Sequence, residues 1–296
     1  MPLWEFRVAA EPGAIVMLEA AIGEQTEPGW SIWEDRLSGR VWLNGYFKSR
    51  PAAKAAWKQM SAALKGGGTR GTPALRRLAD AEWRDSYKRH FKPGRCGRLH
   101  WAPEWERKTY RVPSGDSVVW LEPGLAFGTG NHETTRLAIE RLVAFAKDRT
   151  RAGMTRCRSV IDVGCGSGIL SISAVRLGLG PVVGFDCDPE AMAVSSGNVK
   201  LNGLTSGLEF RLADIPGGLS GRTAGLVLAN IDSDVLQRHA AELMAAVAPG
   251  GWLALSGILS VELARVRATF ARIAAGMSID SHALGEWSDL RIVRPD

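Results

Sequence analysis

Apolar and polar positions alternate from Leu3 to Val8, with Trp4, Phe6 and Val8 on one side, the pattern of a half-buried strand. From Pro12-Gly13 the period lengthens. Val16, Leu18, Ala20 and Ala21 predict a helix through Ile22. Two runs rich in tryptophan and β-branched residues, Trp30 to Arg36 and Arg40 to Phe47, join through Leu37-Ser38-Gly39 and predict a hairpin. Pro51 opens a second helix that ends near Leu64. The order β-α-β-β-α in 1–65 predicts a small α+β domain with its helices on one face. Lys65-Gly66-Gly67-Gly68-Thr69 has linker composition. Thr72 then offers a helix cap with Pro73 at the first position. Leu75, Leu78, Ala79, Trp83, Tyr87 and Phe91 form an apolar stripe closed by Lys92-Pro93-Gly94. Residues 66–94 are therefore expected to be a linker and a linker helix.

The remainder, 95–296, alternates strands with helices. Leu99-His100-Trp101 and Tyr110-Arg111-Val112 predict short strands, and a helix runs from near Thr134 to Ala146. Val160 to Val163 is a short apolar strand, Ile169 to Leu177 a helix, and Pro181 to Phe185 a second strand ending in Asp186. Further strands are predicted at Leu208 to Leu212, Gly225 to Ile231 and Trp252 to Ser256. Helices are predicted at Pro189 to Lys200, Val235 to Val247 and Val261 to Ile273, and Ser278 to Val293 supplies two final strands. Alternation of this kind implies a doubly wound, mostly parallel α/β sheet whose ligands sit beyond the carboxyl ends of its strands. Gly164, Asp186, Asp214 and Asn230 all fall at such ends.

One stretch carries recognisable chemistry. Asp162-Val163 leads into Gly164, Gly166 and Gly168 at alternate positions, and Asp186 follows Gly164 by 22 residues. Strand, glycine turn, helix, strand and terminal acid make a nucleotide-binding βαβ unit. Its glycines let backbone approach the ligand, and its acid accepts ribose hydroxyl protons. A dinucleotide fingerprint needs its third glycine at position 169, which is Ile169. The G-x-G-x-G spacing instead suits S-adenosylmethionine, which has no pyrophosphate to seat on the helix. A tight turn closing an ordinary βαβ unit is the bland alternative. A second unusual stretch, Leu121 to Thr135, crowds glycines, threonines, an asparagine and His132 before a helix. It is a natural rim for a carboxylate such as that of a methionyl group. Thr134 and Thr135 as simple helix caps, and His132 as a surface histidine, compete with that reading.

Composition and charge narrow the setting. The chain has 296 residues, 45% of them hydrophobic, enough for two domains with a substantial core. No run of 18 apolar residues is present and no secretory pattern opens the chain, so a cytoplasmic protein without membrane contact is expected. Cys96, Cys157, Cys165 and Cys187 lack C-x-x-C spacing, which reads as reduced thiols and no metal site. The net charge of +6 is uneven. Residues 66–111 hold 12 basic and 5 acidic side chains, so weak RNA contact through 70–111 competes with simple offsetting of a helix dipole. Eleven tryptophans stand out without a functional account.

Four motifs in order, L-E-P-G-L-A-F-G-T-G-N-H-E-T-T, D-V-G-C-G-S-G-I-L, L-A-N-I and L-S-G-I-L, behind a small α+β domain, resemble the PrmA-type ribosomal protein methyltransferases. The likeness is close over roughly 85–296 and looser before it. It implies a doubly wound seven-stranded methyltransferase sheet. It also implies a substrate-recognition domain at 1–65, a reorienting linker, and methylation of amino groups of large-subunit ribosomal protein eleven by a monomer. By that resemblance the cofactor contacts fall on Thr135, Gly164, Asp186 and Asn230. Gly166 and Asp214 join them from their places in the turn and at a strand end, with Phe127 of the glycine-rich loop. The chain departs from the resemblance in a basic stretch at 147–158, in Asp232-Ser233-Asp234 after Ile231, and in Asn131.

Asn230 is the candidate catalytic residue, orienting a lysine ε-amine or an N-terminal amine while its proton leaves through water. Enzymes acting on planar amides carry N-P-P-aromatic at this point, whereas Asn230-Ile231-Asp232-Ser233 suits a flexible amine. Two rival readings stay open. One is methylation of another protein such as the electron-transfer flavoprotein β-subunit; the other is a non-catalytic ribosome- or RNA-binding protein.

Overall fold

A computed structural model describes residues 3–23, 29–35, 40–64, 67–78, 91–122, 128, 130–151 and 158–296. The chain divides into two units, Met1–His90 and Phe91–Asp296. Among the described residues no helix is long and apolar enough to cross a membrane.

The first unit is a four-stranded antiparallel sheet backed by two helices. Strands β1 (Leu3–Ala10), β2 (Trp30–Asp35), β3 (Arg40–Phe47) and β4 (Thr69–Leu78) lie in the order β2-β3-β1-β4. Helix α1 (Ile15–Gly23) follows a 3-10 turn at Pro12–Ala14. Helix α2 (Arg50–Ala63) is capped by Ser49, whose Oγ accepts the Ala52 N–H at 3.3 Å. Alternation decides the faces. Phe6, Val8, Val41, Leu43 and Phe47 point to the helices and pack on Leu18, Ala53 and Met60. Trp30 and Trp57 join that core around Phe6, the Phe6 and Trp57 rings stacking 4.6 Å apart.

The expected linker helix does not begin at Thr72. Residues 69–78 form β4, which pairs with β1 from Leu3↔Leu78 to Ala10↔Thr69. The cap-like Thr72-Pro73 pair is a local signal. The open hydrogen-bonding edge of β1 is a tertiary one and outweighs it. Pro73, which has no N–H to donate, is tolerated because β4 is an edge strand and its register is interrupted there. The rest of the expected helix, 79–90, lies outside the described residues.

The second unit carries an eight-stranded sheet in the order β10-β9-β8-β11-β12-β15-β13, with β14 paired to β15. Its parallel strands are β8 (Val160–Val163), β9 (Val182–Asp186), β10 (Leu208–Leu212), β11 (Ala224–Asn230) and β12 (Val247–Leu259). Strands β13 (Ser278–Asp280), β14 (Ala283–Leu284) and β15 (Trp287–Val293) are three antiparallel pieces where two were expected. The chain winds outward from β8 through β9 to β10, then returns to the other side of β8 for β11 and β12. That reversal is the topological switch point at which open α/β sheets take ligands.

Successive residues on the central strands serve opposite faces. Val160, Leu226 and Leu228 pack under helices α3 (Glu133–Arg151) and α4 (Ile169–Arg176), while Ile161, Val163, Val227 and Ala229 face the other layer. Helix α5 (Pro189–Leu201) follows β9 and the short α6 (Ile215–Leu219) follows β10. The helix expected at 235–247 is two: α7 (Ser233–Arg238) and α8 (Ala240–Ala245). They break at His239, whose backbone (φ −106°, ψ 21°) is not helical. Helix α9 (Leu263–Ile273) precedes β13.

A small sheet of β5 (Gly94–Cys96), β6 (Leu99–Pro103) and β7 (Ser117–Leu121) completes the unit. The strand expected at 110–112 is irregular chain. Tyr110 is instead held by its Oη to His100 Nδ1 at 2.8 Å, and His100 Nε2 meets Asp116 Oδ2 at 3.0 Å.

Candidate active site

The glycine turn between β8 and α4 is built from backbone conformations that side chains resist. Gly164, Gly166 and Gly168 have φ of +68°, +51° and +79°. A Cβ at Gly164 would stand 2.5 Å from Ile231 Cγ2. The turn is tied across the sheet, because Asp186 Oδ2 accepts the Gly166 N–H at 3.0 Å and Oδ1 accepts the Asp188 N–H at 3.1 Å. Each carboxylate oxygen of Asp186 therefore keeps a lone pair for a further donor.

Asn198 ties the turn to the neighbouring loop. Its Nδ2 donates to Ser167 O at 2.9 Å and its Oδ1 accepts the Glu122 N–H at 2.8 Å. Ser167 Oγ donates in turn to the Gly128 carbonyl.

Asp162 lies beneath this turn, fully buried. Its Oδ2 accepts from Ser171 N (3.1 Å) and Ser171 Oγ (2.6 Å), while Oδ1 has no partner. Burial, reinforced by the Asp186 charge, pushes its carboxyl up to about 6 against the two Ser171 hydrogen bonds. The linkage has a definite sign. The folded group holds its proton after the unfolded one has lost it, so its contribution to stability is greatest below the ordinary carboxylate pKa and is lost as pH rises through about 6. Urea unfolding of the parent and of Asp162→Asn between pH 4 and 7 checks this, and the fall is expected to be shallower in the variant. Parallel pH profiles would overturn it.

A cavity of about 820 Å³ spans the strand ends on this side of the sheet. That lies within the roughly 300–1,000 Å³ typical of small-molecule sites. Thr135, Gly164, Gly166, Asp186, Asp214 and Asn230, six of the seven expected cofactor residues, line it together. The seventh, Phe127, lies outside the described residues. Asp214 also caps α6, accepting the Gly217 N–H at 2.9 Å. Thr135 is fully buried and receives Asn230 Nδ2 at 3.5 Å, whereas Asn230 Oδ1 is buried without a partner. That orphaned acceptor faces no protein donor and is costly unless a ligand supplies one.

His132, not Thr134 or Thr135, precedes the first turn of α3. Its Nδ1 lies 2.9 Å from Thr134 Oγ1, and its ring meets Trp287 edge-on at 5.0 Å. Thr134 is buried at the cavity wall and accepts the Ser256 hydroxyl on its carbonyl at 2.8 Å.

Trp287, Glu262 and His239 also line the cavity and carried no signal in the sequence, and Gly257 joins them from the L-S-G-I-L motif. Trp287 arrives on an antiparallel strand from the end of the chain, beside β12, so only the sheet pairing Leu259↔Trp287 brings it there. Four carboxylates, Asp186, Asp214, Asp232 and Glu262, line the cavity, and none of the described lining residues is lysine or arginine. Such a wall favours cationic ligands. Cys165 also lines it, but burial pushes its thiol far up, leaving it neutral.

A doubly wound sheet with an antiparallel strand inserted near one edge, and a ligand cavity at its switch point, defines an α/β methyltransferase. Residues 9–295 match the family model described as ribosomal protein L11 methyltransferase (PrmA), and the chain belongs to that family. A ribosomal protein L11 methyltransferase of Geobacter metallireducens is 44% identical over 221 residues, 74% of this chain and 68% of the relative. One from Pelotomaculum thermopropionicum is 33% identical over 285 residues, 93% and 88% of the two chains. The crystal structure of ribosomal protein L11 methylase from Lactobacillus delbrueckii subsp. bulgaricus superposes with a TM-score of 0.59 at 30% identity. It covers 70% of this chain and all (100%) of that one.

Proposed function

We propose that this chain is a cytoplasmic, monomeric enzyme that transfers methyl groups from S-adenosylmethionine to lysine ε-amino or N-terminal α-amino groups of ribosomal protein L11. The observation that carries the reading is the unpaired, buried Asn230 Oδ1 inside a cavity walled by carboxylates. It asks for a cationic ligand with a hydrogen to donate, and both the donor molecule and an alkylammonium meet that description.

The residues fit the cofactor. Asp186 would accept the ribose hydroxyl protons through the lone pairs its backbone contacts leave free. The bare backbone at Gly164 and Gly166 would lie against the ligand, with Thr135 and Asn230 toward its amino-acid end and Phe185, Ala213 and Ile215 offering apolar wall to the base. When bound, S-adenosylmethionine supplies an electrophilic sulfonium methyl.

The chain's own part is to present the nucleophile. A lysine amine has a pKa of about 10.4, so only about one part in a thousand is neutral near pH 7.4. Asn230 Oδ1, as an acceptor for one N–H, turns the lone pair toward the methyl and cannot act as a strong base. The proton leaves to solvent through the cavity mouth.

Labelled cofactor incubated with purified L11 tests the reading, and labelled L11 is the expected result. An unmodified L11 beside an enzyme that binds cofactor would send the search to other protein substrates. Asp186→Ala is expected to weaken cofactor binding roughly ten- to a hundredfold. It removes charge-assisted bonds of about 1.5–3 kcal/mol, at 1.4 kcal/mol per decade. Calorimetry returning the parent's affinity would remove Asp186 from the ribose role.

A further inference from the structure

The amino-terminal sheet has a second face, the one turned away from α1 and α2. Alternation places Arg7 of β1, Trp33 of β2, and Trp42, Asn44 and Tyr46 of β3 on it, with Arg70 and Arg76 of the edge strand β4. Trp33 is 49% exposed and Tyr46 39% exposed, both unusual for large side chains of a small sheet. Trp33 and Trp42 are direct cross-strand partners with ring centroids 4.9 Å apart, and the Arg7 guanidinium lies 4.7 Å from the Trp42 centroid.

Two polar atoms in the middle of the face have no partner. Arg7 Nε is a buried donor without an acceptor. Asn44, only 8% exposed, carries a buried Oδ1 without a donor. The two residues are register partners on adjacent strands, so an orphaned donor and an orphaned acceptor stand side by side between the aromatic rings. An unmade buried hydrogen bond costs about 1–3 kcal/mol, and a ligand that satisfies both atoms recovers that cost.

We propose that this open sheet face binds single-stranded RNA. The exposed rings on β2 and β3 offer stacking platforms that any base can use. Tyr46 is two residues from Asn44 on one strand, a separation of about 7 Å, so a base stacked on its ring brings its sugar beside the Asn44 and Arg7 pair. A ribose 2′-hydroxyl there is both donor and acceptor and answers Asn44 Oδ1 and Arg7 Nε together, which deoxyribose cannot.

Strand β4 supplies the electrostatic track. Arg70 and Arg76 pair with Glu11 and Glu5, yet their side chains are 66% and 60% exposed. The Arg70–Glu11 pair is exposed on both sides and weak enough for phosphate to compete with its carboxylate, whereas Glu5 is buried and holds Arg76 at the edge of the face. A peptide partner would want apolar pockets and free strand edges. This face instead offers flat rings, an orphaned polar pair and arginines.

The test uses the full-length protein and fluorescein-labelled oligouridylate, with fluorescence polarisation read across a salt series. Expected are saturable binding that weakens steeply with salt and little binding of the matching deoxyribo-oligonucleotide. Trp33→Ala is expected to weaken binding roughly five- to a hundredfold, since stacking on one aromatic is worth about 1–3 kcal/mol per base and 1.4 kcal/mol is a decade. Trp33→Phe keeps a ring face and is expected to hold most of the affinity, which separates loss of stacking from loss of fold. Absence of binding at low salt, or binding unchanged in Trp33→Ala and Tyr46→Ala, overturns the proposal, as does equal affinity for the deoxyribo-oligonucleotide. A Trp33→Ala enzyme with a raised KM for protein substrate and no RNA binding would give the face to a protein instead. Methyl transfer by the same variants is scored separately, so failure here is distinguishable from failure of the methyltransferase reading.

Discussion

Asp289→Ala is expected to destabilise the chain by about 3–5 kcal/mol, the range found when one partner of a buried ion pair is removed. Asp289 is fully buried, and Arg141 on α3 is 3% exposed. Arg141 Nε and Nη2 donate to the two Asp289 oxygens at 2.7 Å each, a bidentate pair, and its Nη1 reaches Asp280 Oδ1 at 2.6 Å. Arg291 holds the other Asp280 oxygen at 2.6–2.8 Å, and the His282 N–H donates to Asp289 Oδ1 at 2.7 Å.

The network fastens α3 to β13 and β15, and hence His132 and Trp287 to one another at the cavity. Removing the Asp289 carboxylate leaves a desolvated guanidinium with one partner and an unsatisfied His282 N–H, so the loss exceeds the worth of the pair itself. Replacing both partners, Arg141→Met with Asp289→Leu, is expected to cost less than Asp289→Ala alone, because no orphaned charge remains. Urea unfolding of the parent and the two variants measures both quantities. A single variant within 1 kcal/mol of the parent would mean that water reaches Arg141 and that the network is not a fastening. The same cluster sets an acid limit. Burial alone would raise the Asp280 carboxyl, but the Arg291 and Arg141 guanidiniums outweigh it and hold it below the usual carboxylate range. Its contribution is present above the ordinary carboxylate pKa and is lost as pH falls through the lowered one.

The parts of the molecule legible in sequence are those whose signals are local. The glycine triplet, the terminal acid Asp186 and the strand alternation lie within about thirty residues, and they led to the same turn that the structure forms. Asn230 was legible because a buried strand in an α/β sheet ends where a ligand begins. What could not be read was set by distant chain. Strand β4 carries a helix-cap signature at Thr72-Pro73, and only the vacant edge of β1, more than sixty residues earlier, makes it a strand.

Trp287 reaches the cavity through the antiparallel return of β15 beside β12, a register that no periodicity within either segment announces, and Glu262 reaches it from the turn between β12 and α9. The division of the 235–247 helix at His239 is equally silent in sequence, since Val235 to Val247 keeps an unbroken helical pattern. The surplus of tryptophan resolves by environment. Trp30 and Trp57 are core, Trp287 is cavity wall, and Trp33 with Trp42 stands on the open sheet face.

Gly257→Ala is expected to lower stability by roughly 2–5 kcal/mol and methyl transfer by about a hundredfold. Gly257 sits in β12 with φ +83°, where a left-handed residue with a Cβ costs about 1–2 kcal/mol. The added methyl would also overlap the Ile231 carbonyl oxygen and stand 3.1 Å from the Ile231 nitrogen. Those atoms are backbone and cannot swing aside as a flexible side chain would, so a further cost of about 1–3 kcal/mol for overpacking applies. The shift falls on the peptide next to Asn230, whose register partner is Ser256, the residue before Gly257. Movement of about 1 Å at a positioning group is enough for a hundredfold loss of rate.

Gly203→Ala separates the two effects. Gly203 has φ +63° and nothing within 4 Å of its added Cβ, so it bears the backbone cost alone and leaves the cavity untouched. Thermal unfolding, together with kcat and KM for the two variants, makes the comparison. Equal destabilisation with equal activity would show that the strand ends yield freely at Ile231. Asn230 would then owe its position to something other than the close approach of β11 and β12.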